Sequence, residues 1–278
     1  MAMLWQISDL HFGTERPEVV SALENLVRSM PPELVVLSGD ITQRARRAEF
    51  QAARSFVDRL SAPATLIIPG NHDIPLFNLI DRAIAPYANH CRSFGPELEP
   101  VYDSPTMLVI GVNTTRRWRH VDGEVSANQR ERVAQRLSRA SAEQLRIVVT
   151  HQPVAVTRAE DITNLLHGHK AAIYDWSNAG ADLILGGHIH LPFVLPLHKY
   201  YDDLRRQVWV AQAGTAVSTR IRRGANNSVN LVRSTGMLKG SRTAMVQRWD
   251  YSDTARRFTL KHTDSMQFGS RQLHNDME

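Results

Sequence analysis

Eight side chains in this 278-residue sequence share a setting that suits metal chemistry: Asp9, His11, Asp40, Asn71, His72, His151, His188 and His190. Each follows a short apolar run and lies in a turn with Gly, Ser or Pro nearby. Asp9-Leu10-His11 and His188-Ile189-His190 repeat an i, i+2 spacing, which at an extended strand end puts both side chains on one side. Imidazole nitrogens, carboxylates and one amide oxygen suit borderline to hard divalent cations. Cys91 is the only cysteine, which excludes a thiolate zinc module and a disulfide framework and fits a reducing compartment. Taken singly, each residue has a plainer explanation: Asp40 as a turn residue or helix N-cap, Asn71 as a turn residue, a lone His as a surface or satisfied core residue. Five such loops in succession make one shared site the stronger reading.

The elements that must position these residues alternate along the chain. Leu4–Ile7, Leu34–Leu37 and Thr65–Ile68 read as strands that end at Ser8-Asp9, Gly39-Asp40 and Pro69-Gly70-Asn71-His72. Val19, Val20, Leu23, Leu26, Val27 and Met30 follow a 3.6-residue period before Pro31-Pro32, and Phe50 to Leu60 repeats it. Met107–Ile110 is a further strand, and Ser126 with Gln129 forms a capping box ahead of Val133 and Leu137. Leu145–Thr150 and Asp182–Leu185 are strands leading to His151 and Gly187-His188. Strands alternating with helices, with polar residues at the strand C-terminal ends, predict an α/β sheet with its site along that edge. After residue 200, Gln207–Ala211, Ser228–Val232, Thr243–Trp249 and Arg257–His262 read as strands joined by turns, without helices between them. The expected organisation is one domain over 1–262, with a metal-site core over 1–200 and antiparallel hairpins of a second sheet over 201–262. A polar, loosely held tail follows over 263–278.

Asp9-Leu10-His11, Gly39-Asp40, Gly70-Asn71-His72-Asp73, Thr150-His151 and Gly187-His188-Ile189-His190 together resemble the five ordered blocks of the calcineurin-like metallophosphoesterase family. Gly214-Thr215-Ala216 and Asn227-Ser228 are similar to segments of its bacterial members near the class III cyclic-nucleotide phosphodiesterases. The resemblance implies a four-layer α/β/β/α sandwich of two mixed sheets flanked by helices. It implies one metal held by Asp9, His11, Asp40 and His190, and a second held by Asp40, Asn71, His151 and His188. Asp40 would bridge two divalent ions (Mn, Fe, Zn or Co) about 3.5–4 Å apart, and a bridging hydroxide would attack a phosphodiester. His72 would serve as catalytic donor to the leaving group, with Asp73 either orienting it or starting a helix. The implied substrate is a small phosphodiester, with 3′,5′-cyclic nucleotides the leading choice.

The net charge of +5 is uneven: residues 204–262 hold 12 basic residues and two acids, and the rest of the chain is net −5. Arg220, Arg222 and Arg223 in that segment either reach substrate or form a solvated cluster. A nuclease with a basic track stays open, though nucleic acid is not the favoured partner. A lipid pyrophosphate hydrolase also stays open, against which no amphipathic insertion helix with exposed Trp, Phe or Leu is evident. A metal-free interaction scaffold would be expected to have lost ligands, and all seven are present. His167 and His169 lie in a loop that leaves a ligand-bearing strand and read as loop and helix start. No charged leader and no apolar run of membrane length is present, so a cytoplasmic protein is expected. Oligomeric state is left open.

Overall fold

Alternate apolar positions divide each strand between two cores. In β1 (Met3–Ile7), Trp5 and Ile7 face one way and Leu4 the other. β2 (Leu34–Ser38) repeats this, with Val35 and Leu37 opposed to Leu34 and Val36. The intervening helices α1 (Pro17–Ser29) and α2 (Arg47–Leu60) turn Val19, Leu23 and Leu26, and Ala53, Phe56 and Val57, onto the Trp5 side. Pro17 suits the first turn of α1, where its missing N–H is no loss, and Pro31-Pro32 prevents the helix from continuing. β3 (Thr65–Ile68) completes a parallel trio with β1 and β2.

The computed structural model describes residues 2–238 and 241–269. Beyond β3 come two short helices, α3 (Leu79–Ile84) and α4 (Ala88–Phe94), then β4 (Val101–Asp103) and β5 (Met107–Gly111). α5 (Ala127–Ser138), capped by Ser126 and Gln129 as expected, leads to β6 (Leu145–Val149), α6 (His169–Asn178) and β7 (Leu183–Gly186). The chain finishes with β8 (Phe193–Pro196), β9 (Trp209–Gln212), β10 (Ser228–Leu238), β11 (Ser241–Ser252) and β12 (Arg257–Phe268).

Two mixed sheets result, ordered β12-β11-β10-β1-β2-β3 and β4-β5-β6-β7-β9-β8. Leu4, Val36, Val109, Ile147 and Leu185 fill the space between them. Val133 and Leu137 of α5 and Ile173 and Trp176 of α6 cover the outer face of the second sheet at Val148 and Ile184. The four layers are therefore helices, sheet, sheet, helices, as the sequence implied. Among the described residues no helix is long and apolar enough to cross a membrane.

Two boundaries need correction. The late hairpins over 201–262 do not build the second sheet: β10 pairs antiparallel with β1, Met3 opposite Arg233 and Gln6 opposite Asn230, so β10 to β12 extend the first sheet. Only β9 joins the second sheet, parallel to β7. The polar tail also does not begin at 263. Residues 263–268 continue β12 in register with β11, and Met266 and Phe268 are buried in the inter-sheet core. The rest of the tail, 270–278, lies outside the described residues.

Candidate metal centre

The C-terminal ends of β1, β2 and β3 in one sheet meet those of β6 and β7 in the other. At that seam the chain turns sharply. Asp9 (φ 52°), His11 (φ 45°), Asp40 (φ 48°), His188 (φ 74°) and His190 (φ 54°) all take left-handed backbone conformations. Such geometry costs on the order of 1 kcal/mol or more per residue and persists where surrounding structure over-determines it. The surroundings here do so. Asp9 N–H donates to Gly39 O (3.1 Å), His11 N–H to Asp40 O (2.9 Å) and Gly187 N–H to His151 O (2.8 Å). Thr215 Oγ1 donates to Asp9 O (2.6 Å), and Ala216 N–H to Ser8 O (3.0 Å), so the Gly214-Thr215-Ala216 segment buttresses the first turn. A Cβ on Gly70 would fall on the backbone nitrogen and Oδ1 of Asp40, which makes glycine obligatory there for the β2 and β3 turns to touch.

All eight expected residues converge. His190 Nε2 lies 3.3 Å from Asp9 Oδ1 and 3.1 Å from His11 Nε2. His11 Nε2 lies 3.7 Å from Asp40 Oδ2, linking this group to the next. There, His151 Nε2 stands 3.3 Å from Asp40 Oδ1 and 3.2 Å from Asn71 Oδ1, with the His188 ring edge-on at 5.2 Å. Asp9, His11 and His190 form one cluster able to hold a cation, and Asp40, His151 and His188 another.

The tautomers follow from carbonyl partners, which only accept. His151 Nδ1–H donates to Ser38 O (2.9 Å) and His190 Nδ1–H to Arg220 O (2.6 Å), so both present Nε2 to the clusters. His11 Nδ1 and His188 Nδ1 are buried without a hydrogen-bond partner. His11 turns Nε2, not Nδ1, toward the carboxylates. The buried oxygens of Asp9 and Asp40 packed against the Nε2 atoms of His11, His151 and His190 form a donor set that a divalent cation would satisfy, so the residues fit the metals the family implies. Electrostatics agree. Burial works to raise the Asp40 carboxyl, yet His151, His72 and His11 hold it well below the usual carboxylate range. Burial likewise opposes ionisation of Asp9, but His190 brings it down to about 2. Burial pushes His11 to about 3 and His188 to about 4, which keeps both neutral and able to ligate. His151 moves the other way, to about 9, because Asp40 outweighs burial.

His72 sits at the rim. Its N–H donates to Asp40 Oδ1 (2.8 Å), its Nδ1–H to Gln43 O (2.9 Å), and its Nε2 faces Arg220 Nη1 at 3.2 Å. Asp73 does not orient it. Both Asp73 oxygens accept from the backbone, from Ile41, Thr42 and Gly70, and so pin the two turns together. The cleft over the site has a volume of about 560 Å³, within the range of small-molecule sites. Arg220 and Arg222 both line it, while Arg223 is exposed and absent from its wall. Arg222 is tied to Asp161 (2.7 Å) and to Glu160. His120 also lines the cleft, a position with no motif around it to flag it. His167 pairs instead with Asp122 and Arg119, and His169 with Leu166 O; neither lines this cleft.

A family model described as calcineurin-like phosphoesterase matches residues 2–192. The chain is 27% identical over 202 residues to a probable cyclic nucleotide phosphodiesterase of Synechococcus sp., covering 68% of this chain and 73% of that protein. It is 38% identical over 84 residues to the glycerophosphodiester phosphodiesterase GpdQ of Enterobacter lignolyticus, covering 26% of this chain and 29% of that one. The structure superposes on the purple acid phosphatase PPD1 of yellow lupin (Lupinus luteus) seeds with a TM-score of 0.72 at 11% identity, over 96% of this chain and 53% of that one. The chain thus spans about half the length of the lupin enzyme, and that likeness is one of fold.

Proposed function

The chain belongs to the calcineurin-like phosphoesterase family, and we propose that it is a dinuclear metal-dependent phosphodiesterase acting on small phosphodiesters, with 3′,5′-cyclic nucleotides the leading substrate. The observation that carries this reading is the position of Asp40, whose two oxygens face His11 on one side and His151 on the other. In it, Asp9, His11, Asp40 and His190 hold one ion, and Asp40, Asn71, His151 and His188 the other. Two divalent ions of the manganese, iron, zinc or cobalt type, when bound, supply Lewis acidity toward a phosphoryl oxygen and acidify water.

The chain's own residues provide the rest. Asp9 accepts from His188 N–H (3.0 Å) and Ser8 Oγ–H (2.7 Å), which fixes its carboxylate before any ligand arrives. His72 is held by its backbone N–H and its Nδ1–H, so Nε2 alone addresses the cleft. In its doubly protonated form it donates Nε2–H to the leaving oxygen as the P–O bond breaks, and returns neutral. A cleft of mononucleotide scale supports a small substrate over a polynucleotide track, as does the sequence similarity to a probable cyclic nucleotide phosphodiesterase.

Metal analysis and turnover of two variants test this. After manganese loading, Asp40→Ala should lose bound metal together with hydrolysis of bis-(p-nitrophenyl) phosphate and 3′,5′-cyclic AMP. His72→Ala should retain metal while kcat falls by about 10²–10⁴-fold. Wild-type rates in both variants would overturn the assignment.

A further inference from the structure

Beside the cleft lies a surface that hydrolysis of a small soluble ester does not use. α3 buries none of its residues. Phe77, Leu79, Ile80 and Ile84 are 74%, 71%, 71% and 79% exposed, and Trp118 on a neighbouring loop is 68% exposed. Single exposed apolar residues need no explanation, but five large ones on adjoining segments do. The segments are laced together. Arg82 Nη2 donates to Arg119 O (2.8 Å), Arg117 Nη1 to Ala83 O (2.5 Å), and the Arg44 guanidinium lies 5.3 Å over the Phe77 ring. Gln43 holds His72, and His120 lines the cleft, so the face runs to the mouth of the site. Of the seven arginines in residues 43–47, 75–85 and 114–121, Arg116 and Arg119 are paired with Glu124 and Asp122, and Arg46 lies 4.0 Å from Glu49. That leaves Arg44, Arg47, Arg82 and Arg117 around the apolar residues, with Asp81 as the acid among them. The sequence suggested no amphipathic element with exposed Phe, Leu or Trp; the structure supplies one.

We propose that this face docks the protein on an anionic lipid bilayer, with the cleft opening at the membrane surface. Apolar side chains that stand out from a short helix enter the boundary between headgroups and acyl chains, and an amphipathic Trp sits at that level. Arginines around them pair bidentately with lipid phosphates and add attraction to a negative surface. A second copy of this chain is the less suitable occupant, because a two-fold contact would set the same basic surface, with Arg44, Arg47, Arg82 and Arg117, against itself.

The test is flotation of the metal-loaded full-length protein with vesicles of phosphatidylcholine alone or mixed equally with phosphatidylglycerol, in about 0.1 M salt. The protein should bind the mixed vesicles at least tenfold more tightly than the neutral ones. The triple variant Phe77→Ser, Ile84→Ser, Trp118→Ser should lose at least tenfold of that binding, with unchanged far-ultraviolet dichroism and unchanged turnover of bis-(p-nitrophenyl) phosphate. That turnover reports on the catalytic reading separately, so failure of one is distinguishable from failure of the other. Equal partition of the wild type onto both vesicles, or undiminished binding by the folded variant, would overturn the proposal. So would a wild-type dimer in sedimentation equilibrium that the variant converts to monomer without any vesicle binding, which would assign the face to self-association.

Discussion

His72 and Arg220 face each other at 3.2 Å, and that contact governs what each offers the cleft. A guanidinium stays charged and only donates, so it accepts the company of a neutral imidazole and is repelled by a protonated one. Arg220 Nη1 has a second anchor at Gln43 Oε1 (3.0 Å), the side chain of the residue whose carbonyl holds His72. Both side chains line the cleft, so an anionic ester bound there would meet the Arg220 guanidinium. The other two arginines of the segment differ: Arg222 already serves Asp161, and Arg223 is exposed. Arg220→Gln should therefore raise KM for bis-(p-nitrophenyl) phosphate by roughly 10- to 100-fold, the value of a hydrogen bond to a charged group. Its bound metal should stay at the wild-type level, and kcat should change less than KM. A KM equal to wild type would reduce Arg220 to a support for Gln43.

The strand ends were legible in the sequence because each apolar run stops at a Gly, Asp or His, and burial of a parallel strand on both faces demands such a run. What lies between them was less so. β4 is three residues long, and α3 lacks any buried stripe to set a helical period. The period-2 pattern of β10 to β12 identifies strands but not which open edge they take; that depends on pairing across more than 200 residues, as between Met3 and Arg233. Arg220 and His120 sit in irregular segments, so Arg220 was legible only as one of three clustered arginines, with substrate contact and solvation left as alternatives, and His120 had no motif around it. His90 had no motif around it either, and its role is one of packing. It lies in α4, fully buried, edge-on to Phe50 at 6.0 Å and tilted against Phe94 at 5.5 Å, with both nitrogens unpartnered. Burial lowers it to about 4. Between pH 6.5 and 4 the unfolded chain binds a proton that the folded chain refuses, so stability falls as pH drops through 6.5 and levels off below 4. The cost at pH 5 is about 2 kcal/mol. Urea midpoints of His90→Leu should therefore depend less on pH between 7 and 5 than those of the wild type; parallel curves would show that His90 is not the titrating group.

At the scale of the molecule, part of the basic excess of residues 204–262 is structural. Arg248 pairs with Asp250 (2.6 Å), Arg222 with Asp161 (2.7 Å), and Arg242 and Arg206 converge on Asp182. That last group joins the two sheets at the end remote from the metal centre. Arg242 stands on β11 of the first sheet, and Asp182 immediately precedes β7 of the second. Near the centre the sheets are joined differently, by Gln6 Nε2 donating to Gly186 O (2.9 Å) and Asn230 Nδ2 donating to Gln212 O (3.3 Å). Apolar packing between the sheets is non-directional and tolerates sliding, whereas these polar ties fix the register that brings β1–β3 turns against β6–β7 turns. Asp182 is fully buried and accepts from Arg242 Nη2 at 2.7 and 2.9 Å and from Arg146 N–H at 3.0 Å. Asp182→Asn removes the charge, keeps one acceptor, and leaves two guanidinium groups in a mostly buried place, at a cost of about 2–4 kcal/mol. The expected result is a lower urea midpoint with an unchanged slope, and turnover and metal content at wild-type levels below the transition. If the Asn variant unfolds with the wild type, apolar packing alone holds the sheets at that end; if it loses metal while still folded, the clamp also sets the geometry of the distant centre.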